Sequence, residues 1–157
     1  MVVFQVLLFL KEEYIYIYKG EYIMATKNIT LTNLEIYTTA QALMENITTD
    51  INLPVKVGFY IQKNMKRMTE LAQEIEKSRM EIFDKYGEKD EENNQYKFDK
   101  SVQEQVQKEL NDLFDLTQDV KTNMLELDWF DDIDLTANQI AAISYMIADD
   151  DEDEVEE

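Results

Sequence analysis

The feature that most constrains this chain is a run of helical periodicity from Pro54 to Tyr86. Pro54 suits a first helical turn, where its missing N–H costs nothing. From there Ile61, Met65, Met68, Ala72, Ile75, Arg79, Ile82 and Tyr86 alternate by four and three. That spacing is a heptad seam with one polar interruption, Arg79. Lys63, Lys66, Arg67, Glu70, Glu74, Glu76, Lys77 and Glu81 fill the other faces, and Gly87 stands where a C-terminal cap belongs. A helix of about 33 residues is about 50 Å long. One small globule does not cover that length, so the far end is expected to pack in a hairpin or against another chain.

The flanking segments supply the packing partners. Thr32-Asn33-Leu34-Glu35 is a capping box, with Leu31 and Ile36 as the matching hydrophobic staple. It predicts a helix from Asn33 to Asn46, with Ile36, Ala40, Leu43, Met44 and Ile47 on its apolar face. After the stem, Gly87 to Gln95 is polar and turn-like. Gln95 to Phe98 suits either a short strand or aromatics tucked against the stem. Asp99 to Leu116 predicts a second helix with Val102, Val106, Leu110, Leu113 and Phe114 on one face, placed to return antiparallel. From Asp119 the period becomes two, with Val120, Thr122 and Met124 alternating with Lys121 and Asn123. Asn28 to Leu31 is the expected partner strand. Trp129-Phe130 is a large apolar anchor expected in the core. Thr136-Ala137-Asn138-Gln139 is a second capping box, and Ile140, Ile143, Met146 and Ile147 follow at helical spacing. The expected fold is α+β, mainly α: a long antiparallel, coiled-coil-like helical hairpin, with short helices and a small β-sheet at its base.

Both ends differ from this body. Val2 to Leu10 is the most apolar run, yet it has no basic residue before it and no small-residue cleavage site after it. It falls far short of the roughly 20 residues that span a membrane. One alternative is a strand extended by Tyr14 to Tyr18. The favoured alternative comes from the genetic code. Lys19-Gly20-Glu21 can be encoded by AAA-GGA-GAA, which contains a bacterial ribosome-binding sequence, and Met24 follows at initiation distance. Residues 1–23 are then expected to be a translated leader upstream of Met24, followed by one domain over residues 24–148. Asp149 to Glu157, with eight acidic residues and one Val, is expected to be a disordered acidic tail.

Composition excludes whole chemistries. There is no Cys and no His, which removes Cys/His zinc sites, imidazole acid–base catalysis and thiol chemistry. Three Gly and one Pro leave no phosphate-binding glycine loop, so no cofactor is expected. A net charge of −19 repels nucleic-acid phosphates and suits either a basic protein partner or solubility. Residues 1–23 contribute −1 and the tail −8, so the body between them carries −10. Asp128, Asp131, Asp132 and Asp134 suggest a hard-cation site, but the EF-hand pattern is missing and a solvated loop is the simpler reading. With 34 acidic residues, carboxylate pairs of the glycosidase kind arise from composition alone. Met65, Met68 and Met80 suit an adaptable binding face, but seam spacing favours ordinary core. The expectation is a non-enzymatic interaction protein. Acidic mimicry of DNA is the alternative, against which stands the interleaving of Lys and Arg with Glu on the stem.

From Leu31 onward the chain resembles a family of short uncharacterised proteins, a domain of unknown function, encoded by bacteriophages and prophages of low-GC Gram-positive bacteria. The matching residues are Leu31-Thr32-Asn33-x-Glu35-Ile36, Leu53-Pro54-Val55-Lys56-Val57 and Asn64. Arg79-x-x-Ile82-x-x-Lys85-Tyr86-Gly87 and the closing helix from Leu135-Thr136 to Met146-Ile147 complete them. The resemblance covers about residues 30–147 and carries no functional residues with it. It implies a protein of the bacterial host cytoplasm or the virion, acting in virion assembly or on a host protein. A homo-oligomer through the stem is compatible with the pattern; direct nucleic-acid or membrane binding is not expected.

Overall fold

The computed structural model describes residues 26–48 and 51–148. The expected leader and acidic tail lie outside the described residues. In chain order the elements are β1 (Thr26–Thr32), α1 (Asn33–Asn46), the stem α2 (Val55–Tyr86), β2 (Gly87–Asp90), β3 (Gln95–Phe98), α3 (Gln103–Asp115), β4 (Thr117–Asn123) and α4 (Ala137–Ile143). Single 3-10 turns cover Leu127–Phe130 and Ser144–Met146. The fold is mainly α, with two small antiparallel sheets.

The length of the stem organises everything else. Its 32 residues span about 48 Å. The 14 residues of α1 and the 13 of α3 measure about 21 and 20 Å, so laid end to end they nearly match it. They meet at Asn33. Its backbone N–H donates to the Leu116 carbonyl (2.8 Å) and its side-chain amide to the Leu113 carbonyl (2.8 Å), one of the carbonyls that the end of α3 leaves open. Its side-chain oxygen accepts from Gln118 Nε2 (2.6 Å). Asn33 is buried, and these bonds satisfy it on every side. Both expected capping boxes form: Thr32 with Glu35, and Thr136 with Gln139.

One apolar core joins Ile36, Ala40, Leu43 and Ile47 of α1 to Val57, Ile61, Met68 and Ile75 of the stem. Val120 of β4, Leu125 and the closing residues Ala142, Ile143 and Met146 complete it. Further along, α3 returns beside the stem. Glu109 accepts from Tyr86 Oη (2.6 Å), Lys85 Nζ (2.9 Å) and Gln105 Nε2 (3.2 Å). The end of the stem carries β2 and β3, whose Tyr96 and Phe98 pack on Phe83 with ring centroids 5.5 and 5.3 Å away.

β1 pairs with β4 as expected, in the register Ile29↔Val120. The outer edge of β4 meets the stem. Asn64 donates to the Asn123 carbonyl (2.8 Å) and accepts from the Asn123 backbone N–H (2.9 Å) and side-chain amide (3.0 Å). Three residues on, the Arg67 guanidinium donates to the Lys121 carbonyl (2.8 Å). The Asn64 amide thus offers Asn123 the donor and acceptor that a third strand would offer. Beyond it, Leu125 donates to the Met146 carbonyl (2.6 Å) and accepts from Ala148 (2.9 Å), which ties the closing segment to the same edge.

Several expectations are corrected. The inner stripe of the stem runs Val57, Ile61, Asn64, Met68 and Ile75; Met65, one residue off it, is half-buried. Arg67 reaches inward rather than filling the outer face. Arg79 is half-buried, paired bidentately with Glu76 (2.7 and 2.6 Å) and lying 4.8 Å from the Phe83 ring centroid. Gly87 to Asp90 is a strand rather than a turn, and Gly87 is extended (φ −111). A Cβ there would lie 2.8 Å from Phe98 Cε1 and 3.0 Å from the Phe83 carbonyl oxygen, so a larger residue would have to displace the Phe98 ring. Residues 99–102 form a turn, with Asp99 accepting from the Ser101 N–H (2.8 Å), so the helix starts at Gln103 and ends at Asp115. Met44 and Ile140 are more than half exposed, off the faces expected for them.

Two measurements test this arrangement. Asn64→Ala leaves both backbone groups of Asn123 buried and unpaired and is expected to cost about 3 kcal/mol, against about 1 kcal/mol for Met65→Ala, by urea denaturation. Glu109 titrates at about 2 instead of 4.5, held down first by the Tyr86 hydroxyl, then by Lys85 and Gln105. Its contribution is therefore complete above pH 4.5 and fades as the pH falls toward 2. The urea midpoint of the wild type should thus approach that of Glu109→Gln as the pH drops from 5 to 2; a constant gap would contradict the pairing.

Candidate functional site

The charge of the chain is divided unevenly. Residues 122–157 hold thirteen Asp and Glu and no Lys or Arg, leaving only −6 of the −19 for residues 1–121. The last basic residue, Lys121, sits on β4 two residues before Asn123. Everything after it forms or extends the segment that Leu125 ties to the β4 edge.

That segment folds around an apolar cleft. Leu127 and Phe130 come from the first 3-10 turn, held by Trp129 N–H donating to the Glu126 carbonyl (3.1 Å). Ile133 and Leu135 come from the following loop, where Ile133 N–H donates to the Phe130 carbonyl (2.9 Å). Ile140, Ile143 and Ile147 form the opposite wall. The capping box at Thr136 fixes where α4 begins, and Ile140 N–H donates to the Thr136 carbonyl (3.0 Å). Leu127 is 57% exposed and Ile140 52%, so two aliphatic side chains stand open at the mouth. The cleft measures about 160 Å³. Sites for drug-sized ligands are usually about 300 Å³ or more, so this one has room for one or two aliphatic side chains and not for a cofactor.

The residues expected to carry chemistry fall around this cleft in a different role. Asp128, Asp131, Asp132 and Asp134 are exposed, as is Glu126, on the segment that supplies one wall. The described residues contain no group of three or more carboxylates close enough to hold a metal ion. Trp129 is half-buried, with Lys56 Nζ 4.2 Å from the ring centroid, while Phe130 lines the cleft. Met68 is fully buried and Met65 and Met80 are half-buried. The sequence signal for the cleft was apolar residues spaced between the aspartates, Leu127, Phe130, Ile133 and Leu135, in a stretch without one basic residue.

The carboxyls that the structure shifts are Glu35, Glu76, Asp90, Asp99 and Glu109, and all move down. Their principal donors are the Thr32 N–H, the Arg79 guanidinium, Lys97, the Ser101 N–H and the Tyr86 hydroxyl. No helix among the described residues is long and apolar enough to cross a membrane.

The chain matches no family model, no curated protein and no solved structure.

Beside the cleft wall, the Tyr145 hydroxyl is buried without a hydrogen-bond partner, and burial pushes its pKa up. A buried unpaired hydroxyl costs about 1–3 kcal/mol. Tyr145→Phe is therefore expected to stabilise the protein by about 1 kcal/mol, read as a higher urea midpoint.

Proposed function

We propose that this chain is a non-enzymatic protein-interaction protein that binds a basic partner through its C-terminal segment. The observation that carries this reading is the joining of one-sided charge to open apolar surface: residues 122–157 hold thirteen acidic and no basic residues, and the exposed Glu126, Asp128, Asp131, Asp132 and Asp134 among them stand on the segment that walls a cleft with Leu127 and Ile140 at its mouth. Charge of one sign speeds and selects the encounter, and apolar contact holds the complex. The lack of Cys and His supports a role without catalysis. The phage or prophage origin rests on the residue order from Leu31 to Ile147, and with it the two settings of virion assembly and action on a host protein.

Acidic mimicry of DNA is the competing reading, since residues 122–157 do present carboxylates alone. A phosphate mimic has no use for an apolar cleft among those carboxylates, which favours a protein segment as the ligand.

The test is affinity capture from infected or induced cells on the immobilised full chain, washed at rising salt. A basic protein should be retained at 0.05 M salt and released toward 1 M, where screening shortens to about 3 Å. Replacing Asp128, Asp131, Asp132 and Asp134 together by Asn should weaken retention. Recovery of only acidic proteins would overturn the reading, and release of the captured protein by duplex DNA would favour mimicry.

A further inference from the structure

We propose that the cleft between the Leu127–Leu135 segment and α4 is the docking site for a peptide segment that inserts one or two aliphatic side chains between flanking Lys or Arg residues. This rests on the reading of the chain as a binder of basic proteins and names the place and the recognition chemistry.

Three observations fix the class of occupant. The first is shape. About 160 Å³ lined by seven apolar side chains takes a Leu- or Ile-sized anchor and excludes larger ligands. The wall residues are held from behind: Ile143 is 2% exposed, and Met146 and Leu125 are fully buried. The backbone bonds of Leu125 to Met146 and Ala148 pin the far wall to β4. The cleft is therefore preformed, which spares the partner the cost of ordering it.

The second observation is charge. Glu126, Asp128, Asp131, Asp132 and Asp134 are exposed on the segment that builds one wall. A ligand entering here meets these exposed carboxylates, so its polar groups must be cationic. The same charge excludes other occupants. A second copy would bring the same five exposed carboxylates, Glu126, Asp128, Asp131, Asp132 and Asp134, against the first. An anionic lipid surface or a nucleic acid would be repelled.

The third observation is the placement of exposed apolar area. Leu127 and Ile140 stand on opposite walls, one from the 3-10 turn and one from α4, and both face solvent more than they face protein. Trp129 is not the anchor, because Lys56 sits over its ring. Open aliphatic walls with acidic flanks are the complement of a basic amphipathic segment, whose apolar residues recur on one face.

The probe is a fluorescently labelled 15-residue peptide of Leu and Lys patterned for one apolar helical face. Two relatives of it have every Leu replaced by Ser, or every Lys replaced by Glu. Binding to the full chain is measured by anisotropy at 0.1 M salt. The Leu/Lys peptide should bind about tenfold or more tighter than the Ser/Lys peptide, from the burial of one or two aliphatic side chains. The double variant Leu127→Ser/Ile140→Ser changes exposed positions, so it should keep the wild-type circular dichroism and lose that tenfold preference. Leu116→Ser, an exposed position at the opposite end of β4, should keep it. A preference unchanged in the double variant would overturn the cleft as the site while leaving salt-sensitive binding of basic peptides in place. Equal binding of the Leu/Glu and Leu/Lys peptides would overturn the basic-partner reading itself. Amide shifts confined to Leu125–Ala148 on titration would support the site; shifts spread along the stem would overturn it.

Discussion

The structure depends on covering one helix that is too long for any single partner. The stem is about 48 Å long, and each of the shorter helices reaches less than half of it. The chain solves this by abutting two helices, which creates a buried joint where one helix begins and another ends. Helix ends expose carbonyls and N–H groups, so such a joint is stable only if something polar fills it. Asn33 does so, donating to two carbonyls near the end of α3 and accepting from Gln118 at the start of β4. The capping box at Thr32 then begins α1 on the same spot, and β1 and β4 leave from it as a pair.

A second asparagine settles the other end of the sheet. A two-stranded sheet leaves backbone groups unpaired on each outer edge. Asn64 and Arg67, one helical turn apart, occupy the outer edge of β4 with side-chain groups. The stem therefore contributes both the apolar floor of the core and the polar closure of the sheet. The closing segment continues that edge through Leu125, and this fixes the far wall of the apolar cleft.

Much of the fold was legible because it follows local periodicity. The two capping boxes, the span of α1 and the pairing of β1 with β4 can be taken from neighbouring residues, and the structure has them where expected. Asn64 was not legible, because an asparagine in a helix looks like an outward residue until its partner, 59 positions away, is known. Met65 and Asn64 both fit a heptad by position, and residue type favours Met65, yet Asn64 is the buried one. The strand Gly87–Asp90 was hidden by its charged residues, Glu88, Lys89 and Asp90; it forms because β3 pairs with it while Tyr96 and Phe98 pack on Phe83. The cleft was obscured by a change of period. α4 stops at Ile143 and a 3-10 turn follows; Ile143 and Met146 are buried as expected, while Ile140 is half exposed on the cleft.

The pairing of β1 with β4 also has a kinetic meaning. Ile29 and Val120 are 91 positions apart, so their contact closes about three quarters of the span from residue 26 to 148 into one loop. Stem, β2–β3 hairpin and α3 involve much shorter separations, with Lys85 reaching Glu109 across 24 positions. Loop-closure entropy favours the shorter circuit first. The expected order is a helical hairpin that assembles locally, followed by a sheet that locks only once β1 meets β4. On that order the acidic cleft, whose far wall hangs from the end of β4, is among the last surfaces to form, and a partner that requires it meets only chains whose folding is complete.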